Sequence, residues 1–149
     1  MAIAIRPARP ADVARIAAIV DQAYEIYIPR IGKKPGPMLD DYAARVAEDV
    51  VWVAELDGRV VGILVLLPEP DHVLLDNVAV APEAHGKGIG RALVAFAEDE
   101  ARRRGHAEIR LYTHEKMTEN VAMYPRLGYA ETHRAQQAGY DRVFFRKTL

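Results

Sequence analysis

The sequence predicts a mixed α/β domain whose elements follow the order β-α-α-β-β-β-α-β-α-β-β. Apolar runs of strand length recur along the chain, and glycine or proline bounds several of them. Apolar residues at helical spacing fill residues 11–28 and 91–104. The glycine-dense hexapeptide 85–90, HGKGIG, stands between the apolar run 74–81 and the second of these helices. The sequence therefore predicts a glycine turn where a strand passes into a helix.

The first part of the chain predicts a strand followed by two helices. Residues 2–6 alternate as a strand does, and Pro10 suits the first position of the helix 11–28. A breaker-rich loop, 29–37, then precedes a short helix at 38–47. This order places both helices before the main series of strands.

Turn residues fix the later elements. Asp57-Gly58 predicts a tight hairpin, Gly128 ends a short helix at 118–127, and Ala138-Gly139 joins the last two strands. The helix that follows the glycine turn is amphipathic, with Gly105 as its stop, and we expect Glu98 on its solvent face. Its predicted apolar face holds Ile89, Leu93, Phe96 and Ala97. The predicted strands are 50–56, 60–67, 73–80, 109–113, 129–134 and 140–147.

Composition narrows the class of protein. A length of 149 residues predicts one domain, 1–149, and a net charge of −1 gives no reason to expect a nucleic acid or membrane partner. The chain has no cysteine, which excludes disulfides and thiolate chemistry, and its histidines lack metal-ligand spacing. It shows neither a signal-peptide pattern nor an apolar run of membrane-spanning length. We expect a cytoplasmic protein without a metal.

The glycine turn predicts an anion site. Gly86, Gly88 and Gly90 remove side chains where a backbone comes close to a partner or takes a positive φ. The following helix points its first N–H groups at the same place, and phosphate is the usual anion there. A nucleotide P-loop is excluded because Gly88 follows Lys87 where serine or threonine is needed. A dinucleotide fingerprint fits poorly, since the third glycine comes one residue early.

Two motifs in order resemble the GNAT superfamily of N-acetyltransferases. Residues 78–82, VAVAP, followed by HGKGIG resemble the family's coenzyme A signature, although His85 stands where the family has arginine or glutamine. Residues 120–129, NVAMYPRLGY, resemble the family's later motif, an asparagine followed by Tyr-x-x-Leu-Gly-[Phe/Tyr]. The element order matches the family along essentially the whole chain.

The resemblance implies a fold and a cosubstrate. The fold is a central mixed, mostly antiparallel sheet with helices on both faces, and the cosubstrate is acetyl-coenzyme A. The end of the strand 73–80 would pair with pantetheine through its backbone, and the glycine turn would hold the pyrophosphate. The implied cofactor-binding residues are Val78, Ala79, Val80, His85, Gly86, Lys87, Gly88, Ile89, Gly90, Arg91 and Asn120. A helix N-cap is the structural alternative for Asn120.

The resemblance places Tyr124 as the general acid that protonates the departing sulfur. A free tyrosine, with a pKa of about 10, is a weaker acid than a thiol, with a pKa of about 8.5, so hydrogen bonding is an alternative to full proton transfer. Packing below the sheet is the structural alternative for this ring. The implied reaction is direct attack of an amine on the thioester, without a covalent acyl-enzyme.

A base is needed because an alkylamine is free in only about one molecule in two thousand at pH 7. Glu115 lies just past the strand 109–113, near where some family members place a glutamate base. A longer loop there would bring Tyr112 to the position instead. Asp76, His114, Glu25 and water are further options.

The acceptor is a small-molecule or peptide amine of unspecified identity. The family implies an acceptor pocket beside the first two helices and the last strands, and it often forms homodimers. The residues that could line this pocket are Tyr24, Tyr27, Arg30, Lys33, Lys34, Tyr42 and those around 133–140. Two alternatives remain: a non-catalytic module that senses acyl-coenzyme A, and a nucleotide- or dinucleotide-binding domain.

Overall fold

The computed structural model describes residues 2–149. Their contacts form two compact units. The first unit contains the described residues up to Leu66 together with Asn77–Ala97. The second unit contains Leu67–Asp76 and Glu98–Leu149. The expectation of a single domain over residues 1–149 stays a prediction.

The strands form a seven-stranded sheet in the order β1-β2-β3-β4-β5-β7-β6. Strand β4 runs parallel to β5, whereas the β1-β2, β2-β3, β5-β7 and β6-β7 pairs are antiparallel. The predicted mixed α/β class is therefore confirmed. The strands are β1 (Ile3–Pro7), β2 (Val51–Leu56), β3 (Arg59–Pro68), β4 (Val73–Val80), β5 (Glu108–His114), β6 (Ala130–Gln137) and β7 (Tyr140–Thr148).

Five α-helices accompany the sheet in the described residues. The predicted helix 11–28 is divided: 3₁₀ turns at Pro10–Asp12 and Glu25–Tyr27 flank its central part. Gly32, with a φ of 89°, ends the second helix in the left-handed conformation that glycine adopts without strain. The helices are α1 (Val13–Tyr24), α2 (Ile28–Ile31), α3 (Tyr42–Ala47), α4 (Ile89–Arg103) and α5 (Thr118–Arg126).

Both predicted hairpin turns have positive φ at their two central residues, a backbone that Asp-Gly favours and that alanine rarely adopts. Asp57 and Gly58 have φ of 53° and 78°, and Ala138 and Gly139 have φ of 53° and 82°. Two successive positive φ angles are the mark of the type I′ turn, whose twist matches that of the flanking strands. Each two-residue turn therefore sets where its strand pair begins.

A glycine in β3 allows α4 to approach the sheet in the first unit. A Cβ on Gly62 would lie 3.0 Å from Ile89 Cγ2 and 3.0 Å from Leu93 Cδ1. Both of those side chains are buried, as the predicted apolar face requires. Phe96, on the same helix, packs its ring 5.8 Å from that of Trp52. The small residue at position 62 therefore fixes how closely the first turns of α4 pack on β3.

The expectation that Glu98 faces solvent is wrong. Its side chain lies buried, with the residue only 8% exposed, and both carboxylate oxygens have hydrogen-bonding partners in the second unit. A helical pattern read alone assigns a charged residue to the wet face. Here, the partners that compensate its burial lie far away in sequence.

Within residues 2–149 no helix combines the length and the apolar character needed to cross a membrane. The same residues contain no group of three or more histidine, cysteine, aspartate or glutamate side chains arranged to hold a metal ion.

Candidate functional site

The end of β4 in the first unit alternates between buried and partly exposed residues. Ala79 is buried, whereas Val78 and Val80 are half-buried. Just beyond the strand, the Ala81 N–H donates to the Val61 carbonyl oxygen at 2.8 Å, which continues the contact with β3. This stretch contains the residues that the resemblance assigns to pantetheine.

A buried polar chain supports β4 from inside the first unit. Asn77 is 3% exposed, and its Oδ1 accepts a hydrogen bond from the Tyr24 hydroxyl at 2.6 Å. Its Nδ2 donates to the Tyr42 hydroxyl at 3.0 Å, and that hydroxyl donates to the Pro37 carbonyl oxygen at 2.6 Å. Because each group in this chain has a partner, the cost of burying the amide is offset.

The turn after β4 owes its shape to two glycines. Gly86 and Gly88 both have a φ of 78°, a conformation that L side chains rarely adopt. A Cβ at either position would meet no protein atom within 4 Å. The backbone conformation therefore requires glycine there, and the space beside it is open. At these two positions an approaching anion would meet backbone.

The first turn of α4 adds backbone donors to this loop. The Ala92 N–H donates to the Gly88 carbonyl oxygen at 3.0 Å. The N–H groups of residues 89–91 therefore lie in the first turn, where an α-helix offers them no carbonyl partner of its own. The Ile89 side chain is buried and anchors the turn. A Cβ on Gly90 would lie 3.7 Å from Val80 Cγ2, which is an ordinary contact. Gly90, unlike Gly86 and Gly88, is therefore required by neither conformation nor space within the protein.

Electrostatics favour an anion at this loop. Lys87 and Arg91 are exposed, whereas the nearby acid, Glu83, lies 2.9 Å from Arg15 and 3.3 Å from Arg59. The pKa of the Glu83 carboxyl is lowered, most strongly by a hydrogen bond from its own backbone N–H and next by the hydrogen bond from Arg15. Because two arginines balance that carboxylate, the loop cations retain a positive field next to a helix N-terminus.

His85 occupies the first position of the loop and contacts β4. Its exposed ring places Nε2 3.2 Å from the Val80 carbonyl oxygen. A ring nitrogen facing a carbonyl acts as the donor. The structure therefore brings together two residues that the resemblance assigns to the same cosubstrate.

Tyr124 lies in α5, in the second unit, with its ring buried. The Tyr129 ring stands edge-on to it at 5.7 Å, and the Phe145 ring lies 5.8 Å away. The packing that was the structural alternative is therefore present. It fixes the direction of the phenol without assigning it a chemical role.

Asn120 is not a helix N-cap, so that alternative is wrong. The helix α5 begins at Thr118 with Met117 as its N-cap, and the Asn120 N–H donates to the Met117 carbonyl oxygen at 3.0 Å. Its side-chain Nδ2 reaches back to Thr113 Oγ1 at 3.4 Å. This amide thus links the first turn of α5 to the end of β5.

Glu115 lies on the surface of the second unit. Its side chain is 49% exposed, and Oε1 lies 3.2 Å from Nη1 of Arg134. Its backbone N–H donates to the Asp141 carbonyl oxygen at 2.9 Å, which ties the loop to the β6–β7 hairpin. The proposed base is therefore a solvated carboxylate in an ion pair, and its catalytic role stays a prediction.

The alternative bases in the second unit have different surroundings. Burial lowers the pKa of His114, and its Nδ1 accepts the Lys116 N–H at 3.0 Å, so the neutral ring carries its proton on Nε2. That ring has no lone pair left to accept a proton in this arrangement. The Tyr112 hydroxyl donates to Asp76 Oδ1 at 3.1 Å, which couples two of the other candidates.

The residues expected to line an acceptor pocket divide into two groups in the first unit. Tyr24 and Tyr42 are buried in the polar chain through Asn77 and support β4. The Arg30 guanidinium lies 5.2 Å above the buried ring of Tyr27. The other pocket candidates there, Lys33 and Lys34, are exposed, and so is Glu25, one of the alternative bases.

Sequence reasoning missed Gly62 and Asn77, both of which position the loop or the strand beside it. A glycine inside a strand signals a close approach, so the signal for Gly62 was present. Asn77 follows Asp76 inside a largely apolar run, where a polar side chain that faces the core needs a buried hydrogen-bonding partner. Glu98 offered no comparable signal.

Comparison with known proteins gives a consistent result. A profile of the acetyltransferase (GNAT) family matches residues 16–129. A rat protein, N-acetyltransferase family 8 member 3, is 36% identical over 87 residues, which cover 54% of this chain and only 38% of the rat protein. An uncharacterized N-acetyltransferase of Bacillus subtilis, YhfO, is 28% identical over 133 residues, covering 85% of this chain and 89% of that protein. The crystal structure of PaiA N-acetyltransferase from Thermoplasma acidophilum, in complex with coenzyme A, superposes with a TM-score of 0.83 at 18% identity over the whole of both chains.

Proposed function

The chain belongs to the acetyltransferase (GNAT) family, and from this premise we propose that it transfers an acetyl group from acetyl-coenzyme A to a primary amine. The amine attacks the thioester directly in a ternary complex. The new bond joins the amine nitrogen to the acetyl carbon, and the bond from that carbon to sulfur breaks. The acceptor is a small molecule or a peptide.

The observation that carries this proposal is the open glycine loop at the start of α4. Gly86 and Gly88 expose backbone to free space, and the first N–H groups of the helix lie next to them. Lys87 and Arg91 supply positive charge at the same loop. These features fit a diphosphate, because several backbone donors can bind its oxygens while the cations balance its charge.

The transfer needs two proton movements. Acetyl-coenzyme A supplies the activated acetyl group as a thioester. We assign Tyr124 as the donor of a proton or hydrogen bond to the sulfur, on the motif that contains it. We assign Glu115 as the base that accepts the proton of the amine, with Asp76, Tyr112, His114 and water as alternatives. Glu115 is exposed, so it can act through a bridging water.

The test is a search for turnover combined with a direct measurement of binding. Coenzyme A is titrated into the protein by calorimetry, with ATP and NAD as controls. Acetyl-coenzyme A is then incubated with a polyamine, an aminoglycoside, free amino acids and peptides with free N-termini, and release of free thiol is followed. We expect binding of coenzyme A alone among the three nucleotides and acceptor-dependent thiol release with at least one amine.

The other outcomes have clear meanings. Binding of coenzyme A without transfer to any amine of a broad panel would favour the acyl-coenzyme A sensor. Binding of ATP or NAD without binding of coenzyme A would overturn the assignment of the loop.

A further inference from the structure

A polar cluster in the second unit, in which Glu98 and Tyr129 are buried and Lys147 is half-buried, connects three segments that are distant in sequence. It consists of Glu98 on α4, Tyr129 just before β6 and Lys147 on β7, and we call it the Glu98 cluster. The Tyr129 hydroxyl donates to Glu98 Oε2 at 2.9 Å, and Lys147 Nζ lies 2.9 Å from Glu98 Oε1. The carboxylate thus has one partner for each oxygen.

The Glu98 cluster reaches the C-terminal end of α5. Lys147 Nζ also donates to the Leu127 carbonyl oxygen at 2.9 Å, at the residue that caps this helix. The N–H groups of Leu127 and Tyr129 donate to the Tyr124 carbonyl oxygen at 3.0 and 3.1 Å. Gly128, between them, has a φ of +94°, and a Cβ there would lie 3.2 Å from Lys147 Cε. The lysine therefore lies across the last turn of the helix, at the residue that ends it.

The same cluster also holds the ring that packs on Tyr124. The Tyr129 ring is buried and meets the Tyr124 ring edge-on, with their planes 71° apart. Its hydroxyl is fixed by Glu98. Burial, followed by the charge of Glu98, raises the pKa of Tyr129, so the hydroxyl remains a donor at neutral pH. Tyr124 is therefore constrained through its backbone and through its side chain.

We infer that the Glu98 cluster is a positioning device, which holds the end of α5 and the Tyr129 ring so that the Tyr124 phenol points in one direction. This inference rests on the proposed function of Tyr124 as the acid of the transfer. The three residues act through Tyr124 and not on the reacting atoms. General acid catalysis depends on such fixed direction, since a donor contributes only within hydrogen-bonding reach of its acceptor.

Stability alone does not account for a charged pair at this place. Replacing a buried ion pair by apolar side chains of similar size is often neutral or stabilising. Such a replacement here would leave the Leu127 carbonyl oxygen without its ammonium donor. A cation at a helix C-terminus also interacts favourably with the helix dipole. The charged pair thus does what an apolar pair cannot: it ties the end of α5 to β7 and α4.

The first test uses amide hydrogen exchange to measure how strongly the Glu98 cluster stabilises the C-terminal end of α5. In Lys147→Met, exchange at Leu127 and Gly128 should be faster by at least about tenfold, whereas amides of the strand pair β5–β7 should change by less than about twofold. Lys116→Met removes the charge of an exposed lysine and should leave both sets unchanged. Equal acceleration throughout the second unit, or none, would overturn the inference.

Lys147→Met leaves the buried Glu98 without its cation, which can unfold the protein. A second variant covers that case. The triple variant Glu98→Met, Tyr129→Phe, Lys147→Met removes every polar group of the cluster together, so no charge is stranded. It should keep the fold, judged by its circular dichroism and unfolding midpoint, and still show faster exchange at Leu127 and Gly128. Slow exchange at those amides in a folded triple variant would contradict the inference.

The second test is a double-mutant cycle on turnover, with the acceptor that gives the highest rate in the thiol-release assay. The cluster variant should lower kcat at least about fivefold with little change in KM for acetyl-coenzyme A, and it should have no further effect in a Tyr124→Phe background. An equal loss in both backgrounds would overturn the positioning role. Full activity of Tyr124→Phe by itself would instead overturn the assignment of Tyr124 as the acid. The exchange result would still show whether the Glu98 cluster stabilises the end of α5.

Discussion

The glycine loop at residues 85–91 and the end of α5 at residues 124–129 are built in opposite ways. The loop is exposed and local: its shape follows from the backbone of Gly86 and Gly88, and its donors come from the next helix turn. The end of α5 buries the rings of Tyr124 and Tyr129 and depends on distant partners, because Glu98 and Lys147 hold it from other elements.

The difference teaches how each region responds to change. Most substitutions in a local, solvent-exposed loop change the free energy of unfolding little, but they change what the loop binds. A helix end held by hydrogen bonds from distant residues transmits a change at one of those residues to the whole helix terminus. Binding should therefore be most sensitive at the loop, and turnover at α5.

The largest expected effect is in the loop. Gly88→Glu should weaken coenzyme A binding by more than about 1,000-fold, or about 4 kcal/mol, because it places bulk and negative charge where the phosphates bind. Gly105→Glu is a matched control, since Gly105 also has a positive φ, of +80°, and open space around it. It should strain the backbone in the same way and leave affinity unchanged. Calorimetry measures both, and equal affinities for the two variants would remove the phosphate from the loop.

The next effect should separate binding from turnover. Tyr124→Phe should lower kcat by about 10- to 1,000-fold, because it removes the proton donor for the sulfur, and it should leave coenzyme A affinity nearly unchanged. The thiol-release assay gives kcat and calorimetry gives the affinity, with the unfolding midpoint as a check on packing. Turnover at the wild-type rate would assign this ring to packing alone.

A smaller effect tests whether β3 sets the position of the loop. Gly62→Ala should lower the free energy of unfolding by about 1–3 kcal/mol, because its Cβ would push against Ile89 and Leu93 at 3.0 Å. By moving the first turn of α4, it should also weaken coenzyme A binding by up to about tenfold. Gly90→Ala, whose Cβ has room, should instead stabilise the helix by about 0.5–1 kcal/mol. Denaturant unfolding distinguishes the two, and a stabilising Gly62→Ala would contradict the packing argument.

The smallest effect is a pH dependence in the second unit. Burial lowers the pKa of His114 in the folded protein, so the unfolded chain takes up the proton first as the pH falls below about 6.5. The stability that the neutral ring contributes is present above that pH and is lost as the pH falls through the folded pKa. His114→Asn keeps an acceptor for the Lys116 N–H but does not titrate. Thermal midpoints between pH 8 and 5 should fall less steeply in the variant, and parallel curves would show that this ring does not contribute.

The element order could be predicted because local rules decide it. The turn dipeptide Asp57-Gly58 favours the positive φ angles that it adopts, Gly139 supplies one in the last hairpin, and the apolar runs between these turns have the length and pattern of strands. The loop could be predicted for the same reason, since glycine is the residue that its backbone requires. A contiguous motif carries this information within a few residues.

What could not be predicted depends on contacts between distant residues. The periodicity of α4 predicts that Glu98 faces solvent. No local pattern indicates that Tyr129 and Lys147 bind its carboxylate. Asn120 resembled an N-cap, but α5 begins two residues earlier. The proposed base Glu115 is bound to Arg134, a partner nineteen residues away that sequence spacing does not reveal.

The hydroxyl–amide chain through Asn77 has an evolutionary consequence. Its donors run in one direction, from Tyr24 to the amide oxygen, from the amide nitrogen to Tyr42, and from Tyr42 to Pro37. An aspartate at position 77 could not donate onward, and a leucine would remove both the acceptor of the Tyr24 hydroxyl and the donor to the Tyr42 hydroxyl in this chain. Homologues that replace any of these three side chains should therefore replace the other two as well, so that the trio is inherited or lost as one unit.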